Sequence, residues 1–235
     1  MYDLLLTGGT VLDPSQGLNG TNDVAVEDGK IARIAPSIPA EEANHIIEVK
    51  GKVVCAGLID LHTHIYSGVN GNGVVPDIGG VRAGVTTLVD AGSAGCDTFG
   101  GFPEHIVPNS ETEVICFLHI CRTGLATSPD IFSPSSIDLD RTIQVALEHP
   151  NLIAGIKARM VSPALEIMGM EMPRMAKKAA RDAGIKLMVH IGDTEKRYDA
   201  NVIRQLLPIM EPGDIVTHFF TANPGGVLDL SLIHI

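Results

Sequence analysis

Several features are missing from this chain, and each absence narrows what it can be. Basic residues are in deficit: 17 Lys and Arg stand against 28 Asp and Glu, a formal net charge of -11. No Lys/Arg cluster interrupts that excess, so nucleic acid and anionic membrane are excluded as the main partner, and a small-molecule substrate is expected. Cysteine is scarce. Cys55, Cys96, Cys116 and Cys121 include no C-x-x-C pair and build no dense framework, which excludes a disulfide-stapled secreted domain and fits a reduced cytoplasm. Long apolar runs are missing too. The opening MYDLLLTGGTVLD has no basic segment, and its apolar run stops at Gly8 and Gly9, so it reads as neither signal peptide nor membrane span, and no later stretch is long enough to cross a bilayer.

What is present is a composition of 45% hydrophobic and 19% charged residues over 235 positions, enough to bury a core in one large domain or two small ones. Residues 1–52 read as short strands separated by turns, a small antiparallel β module. Within it, Asp28-Gly29 lies between VAVE and KIARI, the signal for a tight hairpin flanked by alternating apolar residues. From Val53 the pattern changes to apolar runs of strand length, each followed by a loop and a helix-compatible stretch. There are six: VVCAGLIDLHTH, TTLVDAG, VICFLHI, LIAGIKARM, IKLMVHIG and DIVTHFF. The clearest helical connection is ALEIMGMEMPRMAKKAARDAG, where Ala176, Ala179, Ala180 and Ala183 mark one face and Gly184 stands at the C-cap position.

Repeated βα units with continuous apolar strands predict a parallel sheet covered on both faces, either doubly wound or a (β/α)8 barrel. A doubly wound nucleotide-binding domain needs a Gly-rich loop after its first strand; HTHIYSG stands there instead. A barrel takes about 250 residues. The segment from residue 53 onward therefore accommodates about six of its eight units, leaving strands one and six as edges.

The polar residues near the C-terminal ends of these strands carry the chemistry. His62 and His64 are spaced i and i+2, which points both imidazoles to one face of a strand; strand four repeats the spacing with Lys157 and Arg159; strands five and six offer His190 and His218. Each has a plainer reading. A strand-end histidine is more often a hydrogen-bonded core or loop residue than a ligand, and a lysine in an apolar segment usually reaches the surface along its stem. Taken together they deliver ligand-type side chains from several strands to one rim, where barrel active sites are built. Imidazoles suit zinc and similar ions, while an ammonium would repel them. Burial beside cations favours a neutral lysine amine, and such an amine can take up carbon dioxide as an anionic carbamate able to bridge two metals. A pair of metals about 3.5–4 Å apart holds a hydroxide and polarises a carbonyl, which is hydrolytic chemistry.

The order His-x-His, Lys, His, His on strands one, four, five and six resembles the amidohydrolase superfamily, in its binuclear branch with a carboxylated lysine. GLIDLHTH, RAGVTTLVDAGSAG, GIKARM, VHIGD and THFFTANPGG are similar to the amidohydrolase/deacetylase metallohydrolases, relatives of dihydroorotases and N-acyl amino acid deacetylases. The resemblance implies an α/β fold with a (β/α)8 TIM-type barrel core, truncated after strand six (residues 53–229), and residues 1–52 as part of a composite β-sandwich. It implies two divalent metals, expected to be zinc: His62 and His64 on the more buried one, His190 and His218 on the other, and Lys157 bridging as a carbamate. The expected function is hydrolysis of an amide or ester bond of a small, carboxylate-bearing substrate through a metal-bridging hydroxide, with cyclic amide hydrolysis as the alternative and a non-catalytic oligomeric barrel as the rival from another class. A homo-oligomer stays open.

Three departures and three lesser residues complete the reading. Family members carry a catalytic aspartate at the end of strand eight; Asp229 stands too near His218 to be that residue, so no catalytic residue of that kind is assigned and the chain as written is expected to be inactive. The closing LSLIHI, residues 230–235, does not resemble the family's continuation and reads as a non-native tail, so His234 is not counted as a ligand. Ala56 precedes Gly57 where many members have proline. Arg159 could hold a substrate carboxylate bidentately or form a surface salt bridge; His119 could touch substrate or be a satisfied rim histidine; Asp90 could cap the loop after strand two or reach a ligand histidine.

Overall fold

The computed structural model describes residues 1–199 and 201–228; Asp229, His234 and the 230–235 tail lie outside the described residues. The chain divides into two compact units, Met1–Gly57 and the remainder from Leu58.

The first unit is one five-stranded sheet: β1 (Tyr2–Asp13), β2 (Leu18–Glu27), β3 (Lys30–Ala35), β4 (Ala43–Glu48) and β5 (Val53–Cys55). The β2–β3 hairpin closes at Asp28-Gly29, with both residues at positive φ, 51° and 70°, and Glu27 opposite Lys30. That is the twist-matched turn the dipeptide predicts. The expected antiparallel module is in fact a mixed sheet, because β4 and β5 run parallel to β1. Residues 36–42 are therefore a crossover from one sheet edge to the other, which is what parallel pairing requires. Buried Asp23 accepts from the Gly8 amide at 2.8 Å and the Ile38 amide at 2.9 Å. One carboxylate thus ties the crossover to β1.

Val53–Cys55, read from the sequence as the start of barrel strand one, pairs with Thr10–Leu12 of β1. The apolar run VVCAGLID spans two units without a strong turn signal, so periodicity alone could not divide it.

The second unit is built on six parallel strands: β6 (Leu58–Thr63), β7 (Val85–Gly95), β8 (Glu113–His119), β9 (Ile153–Arg159), β10 (Lys186–His190) and β11 (Ile215–Thr217). They hydrogen-bond in chain order, β6 to β11, with no reversal. A doubly wound sheet would reverse at a switch point. Moreover, the edges of a flat six-stranded sheet lie about 24 Å apart, whereas the rings of His62, on β6, and His218, just after β11, are 4.9 Å apart. The sheet curls into a barrel arc, six strands of the (β/α)8 pattern, with β6 and β11 as its edges among the described residues.

Helix Leu139–Glu148 starts at Asp138, whose side chain accepts from the Arg141 amide at 3.0 Å. The long connection read as one helix is two, Ala164–Met168 and Glu171–Asp182. Gly169, at φ 54° and ψ -141°, breaks it with a backbone that glycine alone adopts readily. Ala176, Ala179 and Ala180 are fully buried as that face predicts. The helix ends in a Schellman motif, with Ile185 N donating to Ala180 O at 2.9 Å and Gly184 N to Arg181 O at 3.0 Å.

Candidate active site

The strand register aligns the polar residues at the C-terminal end of the arc. His119 lies opposite Lys157, Arg159 opposite His190, and His190 opposite Thr217. His62 ends β6 while His64 lies just beyond it, and Ile65 N donates to Asp90 Oδ2 at 2.9 Å, fixing the chain's exit from the strand. His218 follows β11 with φ 63°, a left-handed conformation uncommon for a residue with a Cβ. Such strain concentrates at functional sites.

A cavity of about 830 Å³ opens on this rim, lined by all five residues singled out as metal-binding, His62, His64, Lys157, His190 and His218, and by Arg159. Ring centroids of His190 and His218 are 4.2 Å apart and those of His62 and His64 are 5.6 Å apart. Burial chiefly, then the charge of Lys157, pushes His62 down to about 3 and His64 to about 4. Burial and then Arg159 push His190 to about 2, and His218 is lowered by burial and then by Lys157. All four rings are therefore neutral at pH 7, with a lone pair to give.

Lys157 is 1% exposed. Among the described residues its Nζ has one hydrogen bond, to Thr217 Oγ1 at 3.4 Å, although an ammonium has three donors to satisfy. Burial first and Arg159 second lower its pKa to about 7, with Asp90 opposing. Gly92 makes room for it, since a Cβ there would stand 2.6 Å from Lys157 Cγ.

Among the described residues, no three His, Cys, Asp or Glu side chains are grouped so as to hold a metal ion. The four imidazoles form a chain of ring contacts, His64 to His62 to His218 to His190, so further donors must be of another kind. A buried, under-bonded lysine whose pKa is lowered to about 7 lines the same cavity, and its amine would fit that requirement if it carried a carboxylate.

The lesser residues are placed as follows. His119 is fully buried, does not line the cavity, and accepts from Cys121 N through Nδ1 at 3.0 Å. That placement matches the reading of His119 as a histidine held by the protein's own groups. Arg159 does line the cavity, and its partner is not on the surface: Nη1 lies 3.4 Å from Oδ2 of Asp130, which is 2% exposed. Asp90 takes the first role offered to it, capping the loop after its strand, while the hydrogen bond to His64 comes from Ser93. Asp90 Oδ1 accepts from Ser93 N at 2.6 Å, and Ser93 Oγ lies 3.0 Å from His64 Nδ1. With Nδ1 engaged, Nε2 is the atom His64 would offer to a metal.

Sequence reasoning missed Ser93, Asp130 and Asn70. Asn70 lines the cavity with a buried Nδ2 that has no partner among the described residues. None belongs to a spacing pattern, and their placement depends on how the loops close.

No protein-family model matches the chain. It is 35% identical over 201 residues to a deacetylase of Agrobacterium fabrum, covering 84% of this chain and 48% of that one. Its structure is similar to a crystal structure of a dihydroorotase, with TM-score 0.82, 31% identity and coverage of 100% of this chain and 62% of the other. It is likewise similar to an adenine deaminase, with TM-score 0.84, 29% identity and coverage of 99% and 60%. The chain spans about half the length of the curated deacetylases it matches. With the curled parallel sheet and the histidine and lysine rim, these likenesses lead to one conclusion: the chain belongs to the amidohydrolase superfamily.

Proposed function

We propose that this chain carries the metal centre of a hydrolase of the deacetylase type, which cleaves an amide or ester bond of a small acyl compound. The observation that carries the reading is the convergence of four neutral imidazoles and an under-bonded buried lysine on one cavity. His62 and His64 would hold one divalent ion, His190 and His218 a second, zinc being the ion that imidazole donors suit. The unprotonated Lys157 Nζ would add to the carbon of CO2, forming an N–C bond as one C=O π bond opens onto oxygen and an N–H proton passes to water, and the resulting anionic carbamate would join the histidines in holding the ions. Such ions polarise a scissile carbonyl and lower the pKa of water.

The remaining work falls to the chain's own side chains. Ser93 holds the His64 ring, and buried Asn70 offers an uncommitted amide donor to whatever enters the cavity. Arg159 offers a guanidinium that can take a substrate carboxylate with two parallel N–H bonds. Likeness to a dihydroorotase supports a second reading, cyclic amide hydrolysis, on the same ligand set.

The test is metal analysis and turnover of the full-length protein prepared with zinc and bicarbonate. Close to two ions per chain, and hydrolysis of N-acetyl amino acids or acetyl esters, are expected. Absence of bound metal after that preparation would sink the reading, and hydrolysis of dihydroorotate or hydantoin alone would favour the second.

A further inference from the structure

The cavity is unlike the rest of the molecule in charge. In a chain with 28 acidic and 17 basic residues, none of the described residues lining it is acidic. The cations there, Lys157 and Arg159, lie two residues apart on β9, about 7 Å along the strand. Of these, only Arg159 stays charged under all conditions.

Arg159 stands at a junction. It lines the main cavity and also a side cavity of about 370 Å³ that includes Ser128, Pro129 and Asp130. Its side chain keeps 29% of its surface open, and its ion-pair partner is Asp130 Oδ2 at 3.4 Å. The same oxygen lies 3.3 Å from His119 Nε2, yet neither Oδ2 nor Nε2 has an aligned hydrogen bond. His119 Nδ1 accepts from Cys121 N, so the ring proton is on Nε2, facing the carboxylate. The Cys121 thiol in turn donates to the Asp130 carbonyl at 2.7 Å. A buried carboxylate thus lies at ion-pair distance between a buried imidazole and one edge of a guanidinium, and among the described residues the fork's other donors have no side-chain partner.

Resting on the hydrolase reading above, we propose that Asp130, backed by His119, is a positioning residue that aims Arg159 into the cavity and so sets the preference for substrates carrying a carboxylate. Asp130 and His119 touch neither substrate nor metal. They act by choosing the orientation of the guanidinium, which a flexible, unpaired arginine would lose to rotamer freedom. One contact at Nη1 fixes the plane without using the bidentate edge.

The experiment compares N-acetylglycine with its neutral counterpart N-acetylglycinamide in the zinc-loaded full-length protein. Asp130→Asn and His119→Gln are set beside Arg159→Met. The acid-to-amide ratio of kcat/KM should fall about 100-fold in Arg159→Met and about 10-fold in Asp130→Asn, mostly through KM, with a smaller fall in His119→Gln. A ratio unchanged in Asp130→Asn overturns the proposal, as does a loss shared equally by both probes, which would mark a purely structural residue. If the wild type hydrolyses neither compound, calorimetric binding of N-acetylglycine decides the positioning role. Weaker binding in both Asp130→Asn and Arg159→Met supports it, and binding equal to wild type in Asp130→Asn overturns it.

Discussion

Two lysines are buried in this protein, and they are treated in opposite ways. Lys177, on helix Glu171–Asp182, is 4% exposed and lies 2.7 Å from both Asp214 and Glu211. Those carboxylates raise its pKa against the effect of burial. Lys157, 1% exposed, has a hydroxyl at 3.4 Å and a pKa pushed down to about 7. The fold is thus able to pair a buried ammonium, and it does so away from the cavity rim. On the rim the close partner is withheld, which keeps an amine where an ammonium would otherwise be. A polar group left unsatisfied in this way costs stability and persists where its chemistry is used.

The largest expected contrast comes from replacing each lysine by methionine, which keeps the apolar stem. Lys177→Met leaves Asp214 buried without its cation, and should lower the stability of the metal-free protein by roughly 3 kcal/mol. Lys157→Met removes an unsatisfied amine, and should leave that stability equal or higher while cutting metal affinity by more than about 100-fold. Urea unfolding together with metal analysis reads both. If Lys157→Met is destabilised as much as Lys177→Met, the lysine on the rim is an ordinary structural one.

The second contrast is in pH. Between about pH 7 and 10.5 the unfolded chain holds a proton on Lys157 that the native state has released. Stability therefore rises with pH across that window, and the penalty is complete below it. Lys177 has the opposite sign: its pKa is raised on folding, so its stabilisation is present below 10.5 and is lost as pH climbs through the folded value. Urea midpoints measured from pH 7.5 to 9.5 in CO2-free buffer should increase in the wild type. Lys157→Met should flatten that increase and Lys177→Met should not; an equally steep rise without Lys157 would assign the effect elsewhere.

How much of this could be read in the sequence depended on whether a feature is local. His62-x-His64, Lys157, His190 and His218 are strand-end residues, and strand ends are marked by where apolar runs stop. The Asp28-Gly29 turn was likewise a local signal. The division between Cys55 and Leu58 was not, because one apolar run serves two sheets with no change of period. Nor was the break at Gly169, since a glycine inside a helical pattern can be tolerated or can end it. Ser93 and Asp130 lay beyond reach for a further reason. Ser93 meets His64 across 29 residues, and Asp130 meets His119 and Arg159 from a loop between their strands. Serine and aspartate in loops are common, so composition does not separate these from the rest.

The smallest effect sharpens the comparison within the imidazoles themselves. His64 has an oriented Nδ1, through Ser93 Oγ at 3.0 Å, and Ser93 is itself held by Asp90, which is fully buried. Among the described residues, His62, His190 and His218 have ring contacts but no comparable hydrogen bond. If the hydroxyl serves to aim Nε2, Ser93→Ala should weaken one of two bound metals by about 10-fold and spare the other. Its cost in unfolding free energy should stay near 1 kcal/mol, the usual worth of one hydrogen bond. Stepwise chelator titration separates the two ions. Loss of both together would mean that the serine supports the whole rim, and loss of neither would leave Asp90 and Ser93 as a loop cap alone.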